Sequence, residues 1–153
     1  MARTRRRENS ATTRHVTVLI PSAPEYLKVI RAVIREFGEL DHWSDEDIRA
    51  TVLAVDEACS NIMKHAYKGQ TGHTITVKIE AGEEALQVEL LDQGEPVDPN
   101  NIQPRKLDEI RPGGLGVYLI SALMDDVVFD TEYTEGNRLI LKRRITRTDG
   151  REA

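Results

Sequence analysis

The sequence predicts an α+β domain, a two-layer sandwich with three helices on one face of a mixed, mostly antiparallel five-stranded sheet. Three observations carry this. Apolar residues recur at spacings of three and four in three stretches, and five other stretches alternate apolar with polar residues. Their order is strand, helix, helix, two strands, a proline-rich gap, helix and two strands, without internal repeats. The 153 residues suit a single domain, which at this size buries roughly 70% of its unfolded surface without staples.

Residues 1–13 are polar, arginine-rich and aperiodic, and are expected to form a disordered basic arm ahead of a domain spanning 14–146. Arg14 opens a strand in which His15 to Leu19 alternate until Pro21 closes the run. Ser22, Ala23, Pro24 and Glu25 read as a capping box with proline just inside a helix. Tyr26, Leu27, Ile30, Val33, Ile34 and Phe37 share one face of that helix, and Gly38 is expected to end it. Leu40 and Trp43 then bridge to the second helix as core anchors.

Ser44 is a good N-cap for the second helix, and Asp45, Glu46 and Asp47 load its first turn with negative charge. Ile48, Val52, Val55, Cys59, Ile62 and Ala66 form its core stripe, with helix expected as far as Tyr67. The opposite side carries Glu57, Asn61 and Lys64, with Ala50, Ala54 and Ala58 beside them in place of long solvated side chains. Something flat has room to pack there.

Residues 68–72 form a loop. Residues 74–80 and 85–91 alternate cleanly and read as an antiparallel hairpin with one covered face and one wet face. From Asp92 to Pro112 the prolines rule out regular structure, and a gap this long reads as a lid. Gly113, Gly114, Leu115 and Gly116 open the third helix, which is expected to bury Val117, Leu119, Ile120, Leu123 and Met124. Residues 127–133 and 138–145 make a last hairpin around Glu135, Gly136 and Asn137, and residues 147–153 are expected to fray.

Composition excludes several classes. Cys59 is the single cysteine and lies on an apolar stripe, which leaves no internal disulfide or cysteine-rich zinc site. The net charge of −5 argues against general nucleic-acid binding, although Arg3, Arg5, Arg6, Arg7 and Arg14 make the first residues locally basic. No apolar run approaches a membrane span and no secretory h-region follows the N-terminal charges, so a cytoplasmic protein without membrane association is expected.

Three separated motifs need a common explanation. Glu57 and Asn61 read singly as a water-facing row, and in chemical terms as a general base and a neutral oxygen ligand for magnesium. Asp92-Gln93-Gly94 reads singly as a turn; chemically, the carboxylate can accept from an exocyclic amine and the glycine lets a ring approach the backbone. The glycines at 113, 114 and 116 read either as a hinge or as free amides at a helix N-terminus, which favours anions. No P-loop or dinucleotide fingerprint is present.

Taken in order, Glu57-Ala-Cys-Ser-Asn61, Asp92-Gln-Gly94 and Gly113-Gly-Leu-Gly116 resemble the three nucleotide-binding boxes of the GHKL (Bergerat-fold) ATPases. The run from Glu57 to Tyr67, and Gly-Gly-Leu-Gly-Val-Tyr-Leu-Ile from Gly113, look most like the RsbW/SpoIIAB-like anti-sigma factor serine kinases. The resemblance covers residues 16–141. It implies ATP and Mg²⁺ as cofactors, Glu57 as the catalytic base, Asn61 as the metal ligand, and Asp92 as the acceptor of the adenine amine. It further implies that Gly94, Gly113, Gly114, Leu115 and Gly116 line the nucleotide pocket, with Arg111 reaching a γ-phosphate. The implied partners are a STAS-domain anti-anti-sigma protein, phosphorylated on serine, and a sigma factor, and a homodimer is compatible with it. The alternative is a non-catalytic nucleotide-binding module that switches partners without transferring phosphate. Glu95 and Pro96 stand where many relatives have a second glycine, and the lid is short.

Overall fold

The computed structural model describes residues 13–97 and 115–149. Strands β1 (Arg14–Pro21), β2 (Thr74–Ala81), β3 (Ala85–Asp92), β4 (Asp126–Phe129) and β5 (Asn137–Arg144) form one sheet in the order β1-β2-β3-β5-β4. Among the described residues every pairing is antiparallel, so the sheet they form is antiparallel rather than mixed. β5 inserts between β3 and β4, which therefore run in the same direction without touching, and helix α3 (Leu115–Leu123) makes the crossover between them. The register lines up apolar rows across the inner face: Val18, Val77, Leu90, Leu139 and Phe129 in one, Val16, Ile79, Val88, Leu141 and Val127 in the next. The outer face is polar, with His15, Thr17, Lys78, Glu80, Gln87 and Glu89 around a shallow depression.

Helices α1 (Leu27–Leu40) and α2 (Asp45–Asn61) complete the helical layer with α3, and α2 touches both neighbours. The stripe read from the sequence is the one that is buried: Ile48, Val52, Val55, Cys59, Ile62 and Ala66 all lie in the core. Ala50, Ala54 and Ala58 are buried as well, so the small-residue side of α2 is covered. Ser44 caps α2, accepting from the Asp47 amide at 3.2 Å. Burial in α3 is narrower than the pattern suggests, since Ile120 and Met124 are fully covered while Val117, Leu119 and Leu123 are partly so.

Several local expectations give way to tertiary contacts. Ser22 caps nothing: its hydroxyl donates to the Gln70 carbonyl at 2.6 Å and accepts from the His73 amide at 3.1 Å, and α1 begins after a 3-10 turn at Pro24–Tyr26. Gly38 does not end α1, which runs on to Leu40. A Cβ there would stand 2.7 Å from Ile48 and 2.9 Å from Trp43, so the glycine allows close packing at the α1–α2 corner. Trp43 anchors that corner edge-on to Phe37 at 5.6 Å, and its Nε1 donates to Asp41 at 2.7 Å.

The last hairpin is shorter than the alternation predicts. β4 stops at Phe129 because the next residue, Asp130, turns the chain, its carboxylate accepting from the Glu132 amide at 3.1 Å. Residues 147–149 do not fray. The Thr148 amide donates to the His42 carbonyl at 2.9 Å, and Arg147 donates to the buried Asp41 carboxylate at 2.8 Å and to the Gly82 carbonyl at 2.6 Å. The basic arm at 1–12 and residues 150–153 lie outside the described residues. Among the described residues, no helix is long and apolar enough to cross a membrane.

Candidate functional site

Glu57 and Asn61 stand one turn apart at the C-terminal end of α2, both half-buried. The start of α3 lies directly on them. A Cβ on Gly116 would sit 2.9 Å from Glu57 Oε2 and 3.4 Å from both side-chain polar atoms of Asn61. The carboxylate ends a flexible side chain that can swing aside, so these distances record how closely the α3 backbone approaches the two groups rather than a strict need for glycine. Leu115 is the first residue of α3. Gly113, Gly114 and Arg111, with most of the proposed lid, lie outside the described residues.

Beyond Asn61 the helix is not the continuous α-helix that the periodicity predicts. Ile62–Ala66 form a π-helical turn, in which the Tyr67 amide donates to Ile62, five residues back, at 3.0 Å. The α-helical phase that puts Lys64 beneath Asn61 therefore ends at Asn61, and Lys64 is simply exposed. The turn carries Ala66 and Tyr67 to the loop after β3.

Asp92 ends β3 and is only 5% exposed. Its Oδ1 accepts from the Gly94 amide at 2.9 Å and from Asn137 Nδ2 at 2.8 Å; among the described residues, neither donor uses Oδ2. Asn137 also donates to the Glu95 carbonyl at 2.9 Å and accepts from the Val97 amide at 3.3 Å, so one side chain holds both the carboxylate and the loop that follows it. Gly94 is packed on the π-turn, where a Cβ would meet the Ala66 carbonyl oxygen at 2.5 Å. Burial pushes the Asp92 carboxyl above the usual carboxylate range, and its two donors offset part of that rise.

The structure thus joins Glu57, Asn61 and Gly116 in one cluster and gives Asp92 and Gly94 a shared, hydrogen-bonded loop. Sequence reasoning missed Asn137, Gly136 and Tyr67. Asn137 was read as a hairpin turn residue, although it is the cross-strand partner of Asp92. Gly136, at φ +133°, clears the Asp92 carbonyl, which a Cβ would approach too closely. The one available signal was a Gly-Asn pair after a strand, and it does not reveal which strand it will face.

All of these residues fall within one recognised unit: residues 20–143 match the histidine kinase-like ATPase domain, and the chain belongs to that family. Within the family it is RsbW-like. It is 34% identical over 138 residues to the serine-protein kinase RsbW of Listeria innocua, covering 85% of this chain and 87% of that protein. It is 29% identical to the serine-protein kinase RsbW of Bacillus velezensis, over 85% of this chain and 92% of that one. A crystal structure of the RsbU and RsbW domains of a Mycobacterium tuberculosis protein superposes with a TM-score of 0.65 at 17% identity. That match covers 88% of this chain and 33% of the other, and it shows the fold.

Proposed function

We propose that the protein is an ATP-dependent serine/threonine kinase of the anti-sigma type, which phosphorylates a serine of a STAS-domain antagonist and otherwise sequesters a sigma factor. The observation that supports the reading is the approach of Gly116 to Glu57 and Asn61, which sets a carboxylate and a side-chain amide beside the backbone of the first turn of α3. Glu57 accepts the proton of the substrate serine as its Oγ bonds to the γ-phosphorus and the bond to the ADP oxygen breaks. ADP leaves, and the proton passes from Glu57 to solvent. Asp92 Oδ2 accepts from the adenine amine, while Gly94 and Gly116 keep the two walls of the pocket bare.

Among the described residues no cluster of His, Cys, Asp or Glu side chains is placed to hold a metal ion, so Mg²⁺ at Asn61 would draw most ligands from phosphate and water. When bound, it neutralises phosphate charge. Asn61→Ala should therefore weaken ATP binding much more in Mg²⁺ than in EDTA, with the circular dichroism unchanged. Equal losses in both buffers would make Asn61 a structural residue.

The reading is tested by incubating the protein with γ-labelled ATP, Mg²⁺ and each STAS-type protein encoded in the same genome. Label on one serine is expected. Normal Mg·ATP binding with no transfer to any of them would leave the non-catalytic partner switch in its place.

Asp92 also sets a stability prediction. Its proton is held more tightly in the folded state, so ionising it costs stability, and that cost grows as pH rises through the folded-state pKa. Asp92→Asn has no charge to desolvate. Its melting temperature should gain on the parent's as pH rises through this range. ATP affinity should fall about tenfold, because an amide with its oxygen turned to Asn137 and Gly94 presents its NH₂ to the adenine amine. A melting offset that shrinks with rising pH, or parent-like ATP affinity, would count against this account.

A further inference from the structure

The proposed site has two halves on different elements, Asn61 at the end of α2 and the Asp92–Gly94 loop after β3, and Tyr67 joins them. The Tyr67 side chain is buried. Its hydroxyl donates to the Thr74 carbonyl at 2.7 Å and accepts from the Gln93 amide at 2.8 Å. The ring stacks face to face on His73, centroids 4.5 Å apart and planes 4° from parallel, so the hydroxyl has little freedom to wander. The preceding residue, Ala66, accepts from the Glu95 amide at 2.9 Å. Gln93 and Glu95, the residues on either side of Gly94, are thus hung from two consecutive residues of one turn.

The π-turn is what aims them. An inserted residue shifts everything beyond it by about 100° around the helix axis. With a regular helix through residues 62–66, Ala66 and Tyr67 would face elsewhere and the 93–95 loop would lose both anchors. Burial pushes the phenol above its usual range, the Gln93 amide opposes this and the nearby Asp92 charge adds to it, so the hydroxyl stays protonated and keeps its bond to Thr74.

We propose that Tyr67 is a positioning residue for the nucleotide base: its hydroxyl, aimed by the π-turn, holds Gln93 and thereby sets Asp92 and Gly94 in the orientation that reads adenine. This rests on the adenine-nucleotide reading of the site. The hydroxyl of Tyr67 bonds to Thr74 and to the loop beside Asp92, not to Glu57 or Asn61, so its effect belongs to base selection and not to the chemical step.

Tyr67→Phe keeps the ring and its stack on His73 and removes one oxygen. On the full chain, calorimetry with ATP and with GTP should show ATP affinity about tenfold weaker and GTP affinity little changed, so that the ATP/GTP ratio narrows. The transfer rate at saturating ATP should stay near the parent's. A purely structural tyrosine predicts a lower melting temperature with the ratio intact, and that outcome overturns the proposal. A parent that already binds ATP and GTP equally sinks the adenine reading and this inference together, whereas a selective parent with an equally selective variant sinks the inference alone. If the variant does not fold, hydrogen exchange on the unmodified protein decides. The Gln93 amide should be protected without nucleotide as well as with it, and solvent-like exchange in the free protein would refute a preset loop.

Discussion

Glu57→Gln should lower phosphate transfer by about 10²- to 10⁴-fold, the usual contribution of a positioned general base, while ATP affinity stays within a few-fold. Glutamine keeps the size of the side chain beside Gly116, so the approach of α3 to α2 is preserved. What is lost is the ability to take the serine proton, which matters only as the new P–O bond forms. Binding and chemistry should therefore separate in one variant. The measurement is a single-turnover transfer assay beside a calorimetric titration with ATP. Full transfer by Glu57→Gln would return Glu57 to a solvated helix face, and equal losses of binding and transfer would make it a nucleotide ligand instead.

Asp47→Ala should cost about 3–5 kcal/mol, the range seen when one partner of a buried ion pair is removed. That is large against a typical domain stability and corresponds to a melting temperature lower by roughly 10 °C. Asp47 is only 5% exposed. It accepts from Arg143 Nε at 3.0 Å, the Thr146 amide at 2.7 Å and the Ser44 hydroxyl at 2.8 Å, while Arg143 also donates to the Leu123 carbonyl. One carboxylate thus holds the start of α2 to the end of β5, and through Arg143 to the end of α3. Alanine leaves a largely buried guanidinium without its counter-charge. Asp47→Asn keeps acceptor geometry without the charge and should lose less. Urea unfolding of both variants is the check, and a loss under about 1 kcal/mol for Asp47→Ala would mean that Arg143 readily finds water.

Much of this was legible in the sequence because burial has a local period. The stripe from Ile48 to Ala66 identifies the core face of α2, and alternation in the 74–80 and 85–91 segments identifies the central hairpin with its inner face. Glu57, Asn61, Asp92, Gly94 and Gly116 were found as motifs, each within a few consecutive residues. Their order along the chain carries the family resemblance, and their joining in one site is our proposal.

Asp47 shows where that legibility stops. In sequence it is the third negative charge in a helical first turn, and nothing near it announces Arg143 or Thr146, whose bonds to it span separations of 96 and 99 residues. Ser22 satisfies every local rule for a capping box, yet its hydroxyl goes to the 70–73 loop, because the strand pairing at Pro21 and Thr74 brings those acceptors and donors within reach first. The sequence by itself determined the elements, their buried faces and the motif residues, since each is written in a repeat of two or 3.6 residues or in adjacent letters. Only the tertiary structure decided that β5 would slide between β3 and β4 and set Asn137 against Asp92, that the helix would slip into a π-turn after Asn61, and that Tyr67 would reach Gln93. The physical reason is that a hydrogen-bonding group takes whichever partner the packed chain brings to it, and register, not local pattern, makes that choice.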